Sequence, residues 1–443
     1  MKSPRYETVQ LEKIVGGGQA LGTLADGRKA FVWGGLPGET VVFRVTKKKS
    51  RLIEGVATEV ITASKERIKP KDPSSYLSTS PWQIMSFNAE QHYKAALIEE
   101  AFELHDIVLP NPITVFTDNQ QYQYRNKVEF SWYGSSPSST GSAIGDTNTE
   151  KLDLAFFTRG GKGKIPVEGT SLAHPAINNL AQKIRDLLQL HGVIARQLKT
   201  LLIRSNQQGD CVWQLYVKDA TFDFISEADA SQLPAQGGEI IYSDPKSPAS
   251  RITKRLHTFG NTVLTDTILG VPFRYATEGF FQVNIAVYEA ALRDMQTFVP
   301  PDKPVVDLYS GVGSIGLTIG GNSPELIEVN EDAVREMNRN ITQLKSKAKA
   351  ILAPSEKALD YITSKKTIIV DPPRAGLHND IIQRLLEVEP NTIVYLSCNP
   401  VTQARDVALL ATKYGTLHHQ GYNFFPRTPH IENLVVLQKR LQP

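Results

Sequence analysis

Cysteine is nearly absent: Cys211 and Cys398 are the only two in 443 residues. Two thiols cannot build a disulfide framework, and they cannot fill a four-thiolate metal site. Long apolar runs are missing as well, since no stretch approaches the roughly 18 consecutive apolar residues of a membrane span. The polar opening MKSPRYETVQ does not have the layout of a secretory signal. These absences lead us to expect a cytoplasmic protein with no membrane contact and no metal. A strong excess of one charge is also lacking, the formal net charge being +3. What excess there is lies at one end, where residues 1–70 hold 13 Lys and Arg against 7 Asp and Glu. A basic end on a near-neutral body points to docking on a polyanion.

The length predicts more than one domain, and three regions differ in pattern. Residues 1–62 read as five short strands punctuated by Gly16-Gly17-Gly18, Asp26-Gly27 and Pro37-Gly38, which suits a small OB-like β-barrel. Lys47, Lys48 and Lys49 fall in the loop before its last strand, where they could reach phosphates. Residues 63–265 read as a connector and a β-rich central domain, interrupted by helical patterns at 89–104 and 176–191. A Ser/Gly/Thr insert at 135–149 reads as a mobile hairpin tip, and His418 and His419 read as surface loop residues. From 266 to 443 strands and helices alternate, predicting a doubly wound α/β domain whose ligand lies at the carboxyl ends of its strands.

Within that last region, Asp307-Leu308-Tyr309-Ser310-Gly311-Val312-Gly313-Ser314 joins a strand to a helix. Gly311 and Gly313 permit a tight turn and close approach of a ligand. Glu328, at the end of the next strand, can accept hydrogen bonds from ribose hydroxyls. A nicotinamide cofactor and S-adenosylmethionine both fit this much. Asp371-Pro372-Pro373-Arg374 then presents a rigid carboxylate at a strand tip, for which a dehydrogenase has no use. Ser397-Cys398-Asn399-Pro400 offers a thiol nucleophile in a polar loop, and His430-Ile431-Glu432-Asn433 a carboxylate base. Cys211, between apolar neighbours in a strand, reads as core. Tyr124, Arg125 and Lys127 interleave aromatic and basic side chains as single-stranded RNA binding requires. Phe281 and Gln282, just before the α/β region, form a similar pair.

Together these segments resemble the RNA uracil-5-methyltransferase family, across essentially the whole chain. Phe281-Gln282-Val283-Asn284, Asp307–Gly313, Asp371-Pro372-Pro373-Arg374-Ala375-Gly376, Ser397-Cys398-Asn399-Pro400 and His430-Ile431-Glu432 match its motifs in order. The resemblance implies an α/β Rossmann-like methyltransferase domain preceded by a TRAM-like RNA-binding barrel and a β-rich central domain. It implies S-adenosylmethionine as cofactor and RNA as partner, ribosomal RNA ahead of transfer RNA. It makes Cys398 the nucleophile and Glu432 the general base, with Gln282, Tyr309, Ser314, Glu328 and Asp371 lining the cofactor and uracil pocket. Ser314 stands where the family often has Asn. Many relatives hold an iron–sulfur cluster with three cysteines in the segment matching Lys71–Trp82 and a fourth matching Thr170. None of those thiols is present, so no such cluster is expected. That loop must be ordered by packing around Trp82 and Tyr76.

Two other readings compete. An RNA cytosine-5-methyltransferase also uses a thiol, but places a second Cys beside its Asp-Pro segment. A non-catalytic RNA-binding or ribosome-assembly factor would have no need of Cys398, Glu432 and the glycine turn together.

Overall fold

The computed structural model describes residues 4–135 and 151–440. The Ser/Gly/Thr insert therefore lies, past Ser135, outside the described residues. The chain forms two compact units. One comprises Met1–Lys13, Gln19–Ser86 and Gln121–Leu264, the other Ile14–Gly18, Phe87–Gln120 and Thr265–Pro443.

In the first unit, Tyr6–Ile14, Ala20–Thr23, Lys29–Trp33, Leu52–Thr62 and Thr40–Lys48 close in that order into a barrel. Alternation along these strands turns Val9, Leu11, Ala30, Val32, Val41 and Phe43 inward. Glu39 is fully buried. Its carboxylate accepts hydrogen bonds from the Leu36 amide at 2.8 Å, the Ser64 amide at 3.1 Å and the Arg67 fork at 2.5 and 2.7 Å. The same unit holds a seven-stranded sheet that runs from Lys254–Gly260 at one edge to Lys164–Pro166 at the other. The helix Pro175–Leu190 covers it with Ile177, Leu180, Ala181, Ile184 and Leu188, all buried on one helical face. Gly238 is required where the Trp213 indole crosses the next strand, because a Cβ there would lie 1.9 Å from the ring.

The second unit is built on an eight-stranded sheet. Its order is Lys349–Leu352, Glu325–Glu328, Val305–Leu308, Thr367–Val370, Thr392–Ser397, Glu432–Lys439, Tyr414–Tyr422 and Val115–Phe116. The first five strands are parallel, and Glu432–Lys439 runs against both of its neighbours. Parallel strands buried on both faces need continuous apolar runs, and Val305–Leu308 and Thr367–Val370 are buried throughout. The chain order reverses between Val305–Leu308 and Thr367–Val370, which makes the crevice there the expected ligand site. His418 and His419, read as surface loop residues, lie instead in the strand Tyr414–Tyr422. His419 is buried, 2.9 Å from the Asn111 carbonyl, and His418 is 2.9 Å from an Asp294 carboxylate oxygen. Glycines at both ends and weak alternation hid this strand, whose order comes from its long pairing with Glu432–Lys439.

The loop around Lys71–Trp82 is ordered by more than packing. Trp82 is buried, and a polar hub centres on Asp72. Its carboxylate accepts from the Ser171 amide at 3.0 Å, the Ser171 hydroxyl at 2.9 Å, the Thr170 hydroxyl at 3.2 Å and the Gln83 amide at 3.0 Å. Gln83 returns a bond by accepting from the Asp72 backbone amide at 3.0 Å. Among the described residues no group of three or more His, Cys, Asp and Glu could hold a metal ion. Asp72→Ala strands several donors at once and should cost about 2 kcal/mol in urea unfolding, whereas Asp72→Asn keeps part of the acceptor set and should cost less. Equal stability of all three proteins would show that the hub does not order the loop.

Candidate active site

Strand register decides which side chains meet. Val370 lies opposite Tyr395 in the parallel pair, and Ser397 lies opposite Asn433 in the antiparallel pair. One step beyond Val370 is Asp371. One step beyond Ser397 is Cys398, and the residue facing it across the pair is Glu432. Three adjacent strands therefore deliver a thiol and two carboxyls to one edge of the sheet.

Buried polar contacts hold this edge in place. The Gln403 side chain donates to the carbonyls of Tyr395 at 2.9 Å and Asn433 at 3.0 Å, and accepts from the Asn433 amide at 2.8 Å. Asn399 caps the helix Pro400–Leu410 by accepting from the Val401 amide. Its own amide donates to the Arg374 carbonyl at 2.9 Å. Asp406, fully buried, accepts from the Leu377 amide and the Tyr395 hydroxyl, each at 2.8 Å. These bonds fasten the Asp-Pro-Pro-Arg loop to the helix that follows Cys398.

The approach to Glu432 is held by a buried charge cluster on the helix Phe87–Glu103. Glu90 and Lys94, one turn apart and both without exposed surface, are 3.1 Å apart. Glu90 accepts from the Asn423 side chain at 2.9 Å and the Arg427 amide at 3.0 Å, while Lys94 donates to the Phe425 carbonyl at 3.1 Å. Burial pulls the Lys94 ammonium down to about 8, against the pull of Glu90. Arg427 is held at a positive φ of 65° with its guanidinium over the Phe87 ring. Nothing in the local sequence announced this cluster, because Glu90 and Lys94 look like an ordinary exposed helix pair.

The electrostatics at the sheet edge are those of acids kept from water. Burial holds Glu432 well above the ordinary carboxyl range, with Asp371 adding to the rise and Arg374 opposing it. Asp371 is raised by burial too, and each carboxyl holds back the other's ionisation. Burial, with Glu432 and Asp371 nearby, pushes the Cys398 thiol up to about 11, against a hydrogen bond from Arg374. The thiol opens onto a cavity of about 490 Å³ lined by Leu97, Leu104, Arg374, His430 and Ile431. Arg374 meets His430 at 3.2 Å on the cavity wall.

Next to this edge, the glycine turn forms a cradle. Tyr309, Gly311 and Gly313 all have positive φ, at 65°, 56° and 87°. A Cβ on Gly311 would meet nothing within 4 Å, so its outer side is open to a ligand. Glu328 accepts from the Gly311 amide at 2.9 Å and the Asn330 amide at 2.8 Å. That leaves lone pairs on a fixed carboxylate for ribose hydroxyls, and these residues fit an adenosine-bearing cofactor. The Tyr309 hydroxyl lies against Ser355 and the His378 backbone, and burial raises it to about 12. Burial also raises Asp307, beneath the turn, to about 8, although the Gly316 amide donates to it at 3.0 Å. Ser314 meets the Tyr288 hydroxyl at 2.9 Å. Tyr288 was not singled out in the sequence. It is buried, senses Asp371, Asp307 and Glu432, and links the turn to the acid edge. The signal for it was Asn284, which caps the helix Ile285–Gln296 that carries it.

The expected RNA-facing residues are more scattered. Phe281 is buried and stacked on Tyr275 at 4.0 Å, Gln282 is buried beside it, and Phe280 is the exposed ring of that segment. Tyr124 is buried, whereas Arg125 and Lys127 reach a cavity of the first unit. Lys47 and Lys48 are not in a loop but end the strand Thr40–Lys48, which pairs with Leu52–Thr62. Lys48 and Lys49 line an open depression of the barrel with Arg5, Arg28 and Asp26, while Lys47 is 2.8 Å from Glu54.

Residues 355–440 match a protein family described as tRNA (Uracil-5-)-methyltransferase. An uncharacterized RNA methyltransferase of Enterococcus faecalis is 27% identical, over 92% of this chain and 92% of that protein. Another, of Nanoarchaeum equitans, is 29% identical over 91% and 88% respectively. Among solved structures, the Pyrococcus abyssi tRNA (uracil-54, C5)-methyltransferase in complex with S-adenosyl-L-homocysteine matches with a TM-score of 0.77 at 20% identity. The match spans 97% of this chain and all of that one, and at this identity it establishes the fold.

The thiol environment has a measurable signature. Alkylation of Cys398 by iodoacetamide should titrate near pH 11 rather than near the usual 8.5 or so, with Cys211 shielded by burial. Glu432→Gln removes a nearby negative charge and should lower the midpoint, whereas Arg374→Met should raise it. The same midpoint in all three proteins would contradict this electrostatic account.

Proposed function

We propose, for a chain whose residues 355–440 match the tRNA (Uracil-5-)-methyltransferase family, that Cys398 and Glu432 carry a covalent methyl transfer forming 5-methyluridine. The observation that supports this reading best is the register of Ser397 against Asn433, which sets thiol and carboxylate side by side. S-adenosylmethionine is the cofactor, and it supplies an electrophilic methyl group. Uracil C5 is too weak a nucleophile to accept that group unaided. Addition of the Cys398 sulfur at C6 gives C5 enolate character. After transfer, Glu432 removes the C5 proton, and expulsion of the thiolate restores the C5–C6 double bond.

Each neighbour then has a task. Arg374, beside the thiol, favours its negative form, which the resting site otherwise resists. Glu432, held high by burial, is a stronger base once ionised than an exposed carboxylate. Asp371 and Gln282 hold the uracil edge with Phe281 behind them, and Glu328, Tyr309, Ser314 and the Gly311–Gly313 turn hold the cofactor. The target base must leave its stack to reach them, at a cost of a few kcal/mol. Phosphate contacts from Lys48 and Lys49 on the barrel help to offset that cost.

The TRAM-like barrel favours ribosomal RNA as substrate. A second reading, transfer RNA, draws on the substrate named for the Pyrococcus abyssi neighbour. No helix among the described residues is long and apolar enough to cross a membrane, and we place the reaction in the cytoplasm. The cytosine and non-catalytic readings are set aside, because the family match is to uracil-5 enzymes.

Removal of the two groups should fail differently. Cys398→Ala should bind RNA and cofactor yet form no covalent product. Glu432→Gln should stall after methyl transfer and accumulate a denaturant-resistant protein–RNA adduct labelled from radioactive cofactor. Turnover by Glu432→Gln at the wild-type rate would make Glu432 structural, and the labelled adduct in Cys398→Ala would end the mechanism. Nucleoside mass spectrometry of ribosomal and transfer RNA from a deletion strain should show 5-methyluridine lost from the ribosomal pool, and loss from transfer RNA alone would select the second reading.

A further inference from the structure

A second cavity of about 490 Å³ belongs wholly to the first unit and contains none of the residues assigned to the reaction. Its volume falls within the roughly 300–1,000 Å³ usual for sites that enclose a small organic group. Arg125, Lys127 and Phe157 line it together with the hydroxyl residues Ser78, Thr79 and Thr170 and the carboxylate Glu129.

The cations here are placed at a cost. Lys127 is paired directly across the strands with Arg204, a like-charge opposition that weakens a sheet. The Lys127 side chain is only 25% exposed, and burial together with Arg204 and Arg125 makes its ammonium harder to keep. The carboxylate near Lys127 is the more exposed Glu129, 3.6 Å away. Phe157 is 61% exposed at the end of its strand, with the Lys164 ammonium 5.2 Å from its ring centre. A half-buried cation with two further cations close by, beside an exposed ring, matches a ligand with an anionic group and a flat face.

We propose that this cavity receives one unpaired nucleotide of the RNA, distinct from the uridine that is methylated. Its phosphate meets Arg125 and Lys127, and its base stacks on Phe157. Tyr124, the aromatic neighbour expected to stack, is buried and cannot take that part, so the ring comes from Phe157, 33 residues further on. The inference rests on the reading of the chain as an RNA enzyme, and it concerns binding alone.

The test separates the two contacts by their response to salt. Full-length Cys398→Ala protein, in which no methyl transfer is expected, is titrated with fluorescein-labelled hexauridylate at several salt concentrations. In that background Lys127→Met should weaken binding about tenfold at low salt and make the log–log salt slope shallower by about 0.7, one phosphate contact to a single strand. Phe157→Ala should weaken binding about tenfold with the slope unchanged, because stacking releases no counterions. Both substitutions suit folding, since one relieves repulsion and the other removes an exposed ring, and unchanged urea midpoints confirm it. Wild-type affinity in either variant overturns the proposal, as does a slope that moves with Phe157→Ala. Because affinity is read without chemistry, failure of the proposed reaction leaves these values where they are, and failure here leaves the adduct test intact.

Discussion

One hydrogen-bonded register sets Cys398 against Glu432 in the second unit. Thr392–Ser397 and Glu432–Lys439 run antiparallel with Ser397 against Asn433, and a slip of one residue would turn every side chain of one strand to the opposite face. Apolar burial resists that slip, since both strands are buried along almost their whole length. The interlocked amides of Gln403 and Asn433 add a directional check, because their bonds exist in one register only. Fixing the register fixes the separation of thiol and carboxylate, and the rest of the site is arranged around that separation.

Around it the protein pays for dryness. Cys398, Glu432, Asp371 and Asp307 are all pushed toward their neutral forms by burial, and the nearby cation is Arg374. A site of this kind is quiet until a ligand brings its own charge and dipoles, and it then has little water to screen them. The barrel of the first unit is of the opposite kind. Arg5, Arg28, Lys48 and Lys49 face an open depression, where attraction for phosphates is long-ranged and salt-dependent.

Much of this was legible in the sequence, for identifiable reasons. Short strands with Gly and Asp-Gly turns announced the barrel, and strict strand–helix alternation announced the α/β unit. The Cys398 and Glu432 segments stood out because polar residues interrupt apolar strands where the chain leaves the sheet. Long-range polar contacts were not legible. Asp72 meets Thr170 and Ser171 across almost 100 positions, and Glu90 meets Arg427 across 337. No local period encodes such pairs. The strand Tyr414–Tyr422 was missed for a related reason, as its partner rather than its own alternation gives it order. Tyr124 shows the reverse error, since an aromatic residue in a basic segment looked available and is packed inside.

The distance of Glu90 from Arg427 along the chain has a consequence for the order in which the protein is made. At about 5–20 residues per second, some twenty seconds to a minute pass between synthesis of the helix Phe87–Glu103 and arrival of the loop that covers its charges. Through that interval Ile98, Ala101 and Phe102 also lack much of the apolar cluster they belong to, whose last members lie in Glu432–Lys439. The first unit is complete once Leu264 has emerged, so it can close while the second still waits for its final strand. The nascent chain thus holds, at the same moment, a completed first unit and a helix whose buried charges, Glu90 and Lys94, still lack their cover.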